Sequence, residues 1–448
     1  MENRLNRTVG IYTLGCKVNQ YESEAIAEYL EENGISILSA SSVCDAYIIN
    51  TCTVTAESDR KARQFIRRAI SKNKNAYIIV TGCFAQSSPE DVAKIDGVDF
   101  ICGNTEKLIA AKKLLEYFNT EKAKGAPEIY VNDIENALFE EMSITKFERT
   151  RAYVKIEDGC ENRCAYWIIP SARGKVRSKS PQDVISEVEA LVKNGCKEIV
   201  LTGIETASYG KDLGNVTLAE LLCRVDKING LERIRLGSLD PSLITPKFVD
   251  TISRLTKLAP HFHLSLQSGS SRILALMRRK YNADMAMNAI KLLRKSIPNV
   301  SFTTDVIVGF PQESERDFEE TVEFVKEAGF LTVHIFPYSS RKGTEASKMK
   351  GQIDKDEKSR RLHILEDIAR KSNQDIIYKE CCRQSIKKVL FETFDGVYAY
   401  GHTDNFIEIA VPSKKDLRSE LLNVRITHTD GVLCFGKLVE DKDLKEKI

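Results

Sequence analysis

Five cysteines stand where thiols can do chemistry. Cys160 and Cys164 lie four residues apart in Asp158-Gly-Cys160-Glu-Asn-Arg-Cys164-Ala-Tyr-Trp167-Ile-Ile-Pro170, just after a strand-like run at 152–157. Cys16, Cys52 and Cys83 each follow a short apolar run, at 9–14, 46–50 and 76–80, and two of the three are preceded by Gly. Thiolates are soft ligands for iron–sulfur clusters or zinc. Three thiols with no obvious fourth ligand suit an iron–sulfur cluster with one exchangeable iron better than a closed zinc site. The other seven cysteines (44, 102, 196, 223, 381, 382 and 434) have no such placement and read as small core residues.

The elements around these thiols explain how distant positions can meet. In residues 8–119 apolar runs alternate with helical stretches (22–32, 56–71, 89–95), which predicts a doubly wound parallel α/β sheet. In such a sheet the residues after successive strands share one edge, outside the strand carboxyl ends. Cys16, Cys52 and Cys83 are therefore expected in one site. From 151 onward six strand candidates (152–157, 198–202, 233–237, 262–266, 301–308, 332–336) alternate with helices, predicting a partial (βα)6 barrel with its chemistry at the strand ends. A charged helix over 354–379 leads to period-two runs within 381–438, expected to form a small β-barrel of about five strands. The expected division is 1–120, a linker 121–150, 151–378 and 379–448.

The 448 residues are 42% hydrophobic and 29% charged, with a net charge of +2, an ordinary soluble composition that does not by itself announce nucleic acid. No apolar run approaches the ~20 residues of a membrane span. The polar start lacks a signal-peptide core, and twelve cysteines in a long chain without an export signal point to metal or redox use in the cytoplasm.

Taken together, these blocks resemble the methylthiotransferase family of radical S-adenosylmethionine enzymes over nearly the whole chain. The resemblance rests on Leu14-Gly-Cys-Lys-Val-Asn-Gln-Tyr-Glu-Ser-Glu24, Asn50-Thr-Cys-Thr-Val54, Thr81-Gly-Cys83, Ile168-Ile-Pro-Ser-Ala-Arg-Gly-Lys-Val-Arg-Ser178, Leu201-Thr-Gly203, Ser265-Leu-Gln-Ser-Gly269 and Asp305-Val-Ile-Val-Gly-Phe-Pro311. It implies an N-terminal cluster domain, a radical S-adenosylmethionine partial barrel and a C-terminal RNA-binding module of the TRAM type. It implies two 4Fe–4S clusters, one on Cys16, Cys52 and Cys83 and one in the loop of Cys160 and Cys164. The partners implied are S-adenosylmethionine, a tRNA anticodon loop, and an electron donor such as a flavodoxin or ferredoxin; a monomer is expected, with no membrane. Within the family, Lys17-Val-Asn-Gln-Tyr21, residues 201–210 and His334-Ile-Phe-Pro-Tyr-Ser-Ser-Arg-Lys-Gly-Thr344 look most like the branch that places a methylthio group on C2 of threonylcarbamoyl-adenosine. Sibling branches act on isopentenyl-adenosine or on an aspartate of a ribosomal protein.

Two features follow from that resemblance. The family pattern is Cys-x3-Cys-x2-Cys, and its third seat here holds Trp167, whose indole offers an N–H and no lone pair for a metal. The expectation is a barrel cluster that assembles poorly, and slow turnover or none; a non-catalytic RNA-binding homologue is the competing reading. Gly203, Glu205, Ser238, Gln267 and Asp305, at or just beyond strand ends, are the candidate cosubstrate contacts. Arg173, Lys175 and Arg177, with Lys179, Arg278, Arg279, Lys280, Arg341 and Lys342, are candidates for tRNA phosphates. Tyr398, Tyr400, His402 and Phe406 are candidates to stack on unpaired bases.

Overall fold

The computed structural model describes residues 7–120, 125–214 and 216–439. Its first layer is a parallel six-stranded sheet in the order β2 (Ser36–Leu38), β1 (Thr8–Thr13), β3 (Ala46–Thr51), β4 (Tyr77–Gly82), β5 (Phe100–Cys102), β6 (Glu128–Tyr130). The central strands β3 and β4 are buried at every residue, which is why they read as unbroken apolar runs. Thr13, Asn50 and Thr81 stand in register across β1, β3 and β4, so the three cysteine loops leave the sheet side by side.

The stretch read as a linker does more than connect. Residues 121–124 lie outside the described residues. Beyond them β6 extends the first sheet, Met142 and Ile144 enter the core of the barrel, and Glu140 accepts hydrogen bonds from the Lys107 and Leu108 backbone N–H groups. The stretch is polar because its few apolar side chains are spaced irregularly, and no period marks them.

The second layer is the open barrel. β7 (Ala152–Lys155), β10 (Glu198–Thr202) and β11 (Arg233–Leu236) form one parallel sheet. β12 (Ser238–Leu239), β13 (His261–Gln267), β14 (Ser301–Val308) and β15 (Thr332–Pro337) form the other. Only Gly237 separates β11 from β12, and its N–H is bonded to Leu201 O at 2.8 Å, so six strands run in sequence. The two-residue strands β8 (Glu157–Asp158) and β9 (Arg177–Ser178) pair above β7, flanking the loop of Cys160 and Cys164.

A 29-residue helix, Lys355–Arg383, leads to a closed five-stranded barrel of β16 (Ile386–Phe394), β17 (Tyr398–His402), β18 (Glu408–Pro412), β19 (Leu421–Thr429) and β20 (Cys434–Leu438). This module sits against the starts of the central strands. Arg233 donates to Lys388 O at 2.7 Å, and Arg235 donates to Thr403 O at 2.7 Å and Asp404 O at 3.0 Å. The three arginines Arg151, Arg233 and Arg235 surround buried Glu198, and their charge overcomes the effect of burial and holds its carboxyl down at about 2. Phe406 lies between His261 and His402, with ring centroids 4.5 Å from each, and the Arg235 guanidinium is 4.9 Å from its ring centre. Among the described residues no helix is long and apolar enough to cross a membrane.

Candidate functional site

Cys16, Cys52 and Cys83 meet at the edge of the first sheet, as their spacing predicts. Cys16 is the N-cap of the helix Lys17–Glu32, a seat usually held by Ser, Thr, Asp or Asn, and no side chain caps this helix. The positive end of the helix therefore faces a thiol, a pull toward the anion that works against the effect of its surroundings. Cys52 follows β3 directly, and Cys83 opens the short helix Cys83–Ser87. Two glycines let these loops close on one another. Gly15 has φ +97°, and a Cβ there would lie 2.8 Å from Cys52 Cβ and 3.0 Å from its Sγ. Gly82 has φ +100°, and a Cβ there would lie 2.4 Å from Thr51 O.

The three thiols lie within electrostatic reach of one another. Burial raises the Cys52 thiol, and the neighbouring Cys83 and Cys16 raise it further. Cys16 is also raised by its surroundings first, with Arg173 opposing and Cys83 adding to the rise. Its side chain is exposed at the sheet edge.

Arg173 ties this site to the barrel. Its Nε donates to Cys83 Sγ at 3.3 Å. Its Nη1 pairs with Glu22 at 2.5 Å and Asp158 at 3.1 Å, and Nη2 donates to Asn19 Oδ1. Lys107 and Lys155 reach Glu22 at 3.1 and 2.8 Å, and Arg177 reaches Asp158 at 3.3 Å. Burial would lift Glu22, but Arg173, Lys107 and Lys155 hold it well below the usual carboxylate range. Four buried cations thus meet two buried carboxylates, with the half-buried Glu140 at the edge. The excess positive charge suits a group carrying thiolate charge. The donor set and its surroundings fit an iron–sulfur cluster on Cys16, Cys52 and Cys83.

This network corrects the expectation for the basic run. Arg173 and Arg177 are buried and do not face RNA; the sequence shows alternation of basic and small residues but not that the cations turn inward to Glu22 and Asp158. Lys179 is buried on Glu187 at 2.6 Å, Arg279 is half-buried and pairs with Asp240, and Arg341 pairs with Asp59 at 2.7 Å. Lys175 is exposed.

The barrel loop carries Cys160 and Cys164, both buried. Cys160 N–H is held by Gly174 O at 3.0 Å, and Arg279 Nη1 donates to Cys164 Sγ at 3.4 Å while Nη2 pairs with Asp240 at 2.9 Å. Burial and then Glu205 push the Cys160 thiol up to about 12. Glu205 accepts from Asn162 at 2.8 Å, and burial with Asp240 nearby raises its carboxyl to about 6. The backbone N–H of Trp167 is bonded to Cys164 O at 3.1 Å, and its half-buried ring meets Tyr166 edge-on at 5.9 Å. Tyr166 packs against Phe310. The loop supplies two thiols and an indole, which do not fit a cluster held by three thiolates.

The remaining candidates divide. Gly203 lies beside Glu157, whose Oε2 would be 2.5 Å from a Cβ at 203, so close packing alone demands glycine. Gln267 has φ +70° where β13 shifts register, and Ser238 is exposed with its carbonyl bonded to Thr206. Asp305 lies within β14 rather than at its end, on the lumen side, with Oδ2 3.2 Å from His263 Nε2. His402 and Phe406 turn to the barrel floor instead of outward, because the aromatic cluster with His261 and Arg235 is buried there. Tyr398 and Tyr400 are half-buried, and Tyr400 donates to Asp395 at 2.7 Å.

Sequence reasoning missed His263 and His334 as site residues. His263, Asp305 and His334 bring ligand atoms within 4.8 Å of one another. The signal was the strict alternation His261-Phe-His263-Leu-Ser265-Leu-Gln267, which sends polar side chains to the lumen and apolar ones to the core.

An open parallel barrel with thiols at the ends of its strands defines a radical S-adenosylmethionine enzyme fold. Residues 154–325 match the Radical SAM superfamily, and residues 8–103 match the uncharacterized protein family UPF0004. The structure of the radical S-adenosylmethionine methyltransferase TsrM from Kitasatospora setae, with cobalamin and a [4Fe-4S] cluster bound, superposes with a TM-score of 0.57 at 14% identity, covering 77% of this chain and 74% of that one. Threonylcarbamoyladenosine tRNA methylthiotransferase MtaB of Bacillus subtilis is 40% identical over 97% of this chain and 98% of its own. The protein of the same name from Thermotoga maritima is 38% identical over 97% and 99%. A tRNA-2-methylthio-N(6)-dimethylallyladenosine synthase of Clostridium botulinum is 36% identical over 95% and 96%. The chain belongs to the radical S-adenosylmethionine tRNA methylthiotransferases, a family that uses a 4Fe–4S cluster and S-adenosylmethionine.

Proposed function

We propose that this chain recognises N6-threonylcarbamoyladenosine beside the anticodon of tRNA, the substrate class on which its branch places a methylthio group at adenine C2. The observation that carries this reading is the nearly end-to-end likeness to proteins named for that reaction, combined with the three-thiol pocket. When bound, a cluster on Cys16, Cys52 and Cys83 supplies an open iron for sulfur, and S-adenosylmethionine supplies radical and methyl chemistry.

The chain's own residues have distinct tasks. Cys16, Cys52 and Cys83 hold the cluster, and Arg173 donates to Cys83 and fixes the angle between the sheet edge and the barrel. Gly203 and Glu205 stand beside Cys160 in the cosubstrate cavity, with Ser238, Gln267 and Asp305 further along the rim and lumen. Lys175 and the C-terminal TRAM-like module (379–448) contact the tRNA backbone, and 1–120 and 151–378 form the two halves of the cavity. The setting is a cytoplasmic monomer served by a flavodoxin or ferredoxin.

Trp167 favours a second reading, in which the chain binds tRNA but turns over slowly or not at all. Incubation of the reconstituted chain and its Trp167→Cys variant with tRNA bearing threonylcarbamoyl-adenosine, followed by nucleoside mass spectrometry, separates the readings. Product from the variant alone supports the proposed substrate and an impaired barrel site. Product only from dimethylallyl-adenosine tRNA, or only on a ribosomal protein, overturns the substrate assignment.

A further inference from the structure

The polar cluster inside the barrel is unused by either thiol site. His263, Asp305 and His334 project from neighbouring strands β13, β14 and β15 on their lumen faces. Asp305 and His334 are paired in register, as are His263 and Thr303. His263 is held at both nitrogens, Nδ1 at Thr303 Oγ1 (3.0 Å) and Nε2 at Asp305 Oδ2 (3.2 Å). His334 is exposed to the lumen, and two residues on, along the same face, Phe336 leaves 46% of its surface exposed.

Lys17 is exposed, and its charge reaches this cluster. It begins the helix that Cys16 caps, and it lies within electrostatic reach of Asp305, His334, Arg151 and Arg235. Arg151 and Arg235 are neutralised by Glu198. Lys17 has no carboxylate within ion-pairing distance among the described residues. An exposed ammonium with no carboxylate beside it is free to meet an incoming anion.

We propose that Lys17 and His334 bind the carboxylate of the threonylcarbamoyl group, while Asp305, steadied by His263, accepts from its hydroxyl or ureido N–H. This rests on the functional reading above and deepens it by naming the residues that choose the substrate. A threonine joined through a carbonyl to adenine N6 keeps a free carboxylate and a hydroxyl. A dimethylallyl group offers only hydrocarbon, and would give the Lys17 ammonium and the His334 imidazole no partner. The exposed ring of Phe336 provides a surface on which the purine can stack. Two histidines and a carboxylate are also a recognised metal-ligand set. Lys17 opposes a divalent cation here, and His263 Nε2 is already engaged by Asp305, so the surroundings favour an anion.

The test is binding, which does not depend on turnover. Three fluorescent anticodon stem-loops, with adenine bearing threonylcarbamoyl, dimethylallyl or no substituent, are titrated with the full reconstituted chain. A fourth carries the threonylcarbamoyl group with its carboxylate converted to an amide. The threonylcarbamoyl RNA is expected to bind about tenfold or more tighter than the other three, because a site built for polar groups rejects partners lacking them. Lys17→Gln and His334→Phe are each expected to remove most of that preference, with unmodified RNA binding and iron content unchanged. Equal binding of the acid and its amide overturns the proposal without relying on any variant, as does full preference in Lys17→Gln. Uptake of one zinc per chain, abolished by His263→Ala, overturns it in favour of a metal site. Failure of every stem-loop to bind overturns the functional reading itself, an outcome distinct from binding without discrimination.

Discussion

Arg173 Nε lies 3.3 Å from Cys83 Sγ, joining a thiol of the first sheet to the helix that follows the barrel's own thiol loop. The same guanidinium reaches Asp158, two residues before Cys160. A single side chain thus fixes how the two thiol sites face one cavity. Arg173→Gln leaves Glu22 and Asp158 under-compensated in the interior. It is expected to destabilise the protein by about 3–5 kcal/mol, the scale of breaking a buried charge network. Denaturant unfolding measures this, and the variant should also retain less iron after desalting.

Glu157 is fully buried, one of its oxygens has no hydrogen-bond partner, and burial raises its carboxyl well above the usual range. The folded chain therefore holds this proton more tightly than the unfolded chain does. Its contribution to stability is greatest below the unfolded value of about 4.3 and falls as pH rises toward the folded value, by about 1.4 kcal/mol per pH unit. Glu157→Gln keeps the shape and removes the ionisation. Its advantage over the unaltered chain should grow from pH 5 to pH 8 in parallel unfolding curves; a constant difference would show that Glu157 is ionised in the folded state.

Gly203→Ala is expected to disturb this same carboxyl, since the added methyl would overlap Glu157 Oε2 and lie 3.1 Å from its Cβ. Overpacking of this kind costs roughly 1–3 kcal/mol. Pairing it with Glu157→Ala, which vacates the space, should recover much of the loss in a thermal melt.

Phe406 fastens the C-terminal module to the barrel floor through its stack on His261 and the Arg235 guanidinium over its ring. Phe406→Ala is expected to cost about 2–3 kcal/mol. Limited proteolysis should then cut near the end of the helix Lys355–Arg383 faster than in the unaltered chain, while the β-barrel fragment survives.

Much of this architecture was legible because periodicity reports burial. The continuous apolar runs of β3 and β4 marked strands covered on both faces, and the residues after them had to share an edge, which placed Cys16, Cys52 and Cys83 together. Residues whose role depends on partners far along the chain were not legible. Arg173 and Arg177 look like a surface run until Glu22, from another layer, is placed beside Arg173. Phe406 looks like a base-stacking residue until His261 is found on its face, 145 positions away by number. The lumen cluster was not read from the sequence: alternation in β13 could have pointed to His263, but its meeting with His334 needed the strand order.

The central claim is that three thiols at one sheet edge hold a cluster while Trp167 leaves the barrel loop one ligand short. Iron and sulfide content after anaerobic reconstitution tests it most directly, comparing the unaltered chain with Trp167→Cys and with a Cys16, Cys52, Cys83 triple alanine variant. The expected result is about four irons per chain in the unaltered protein, about eight in Trp167→Cys and close to none in the triple variant. About eight irons in the unaltered chain, or iron retained in the triple variant, would contradict the account.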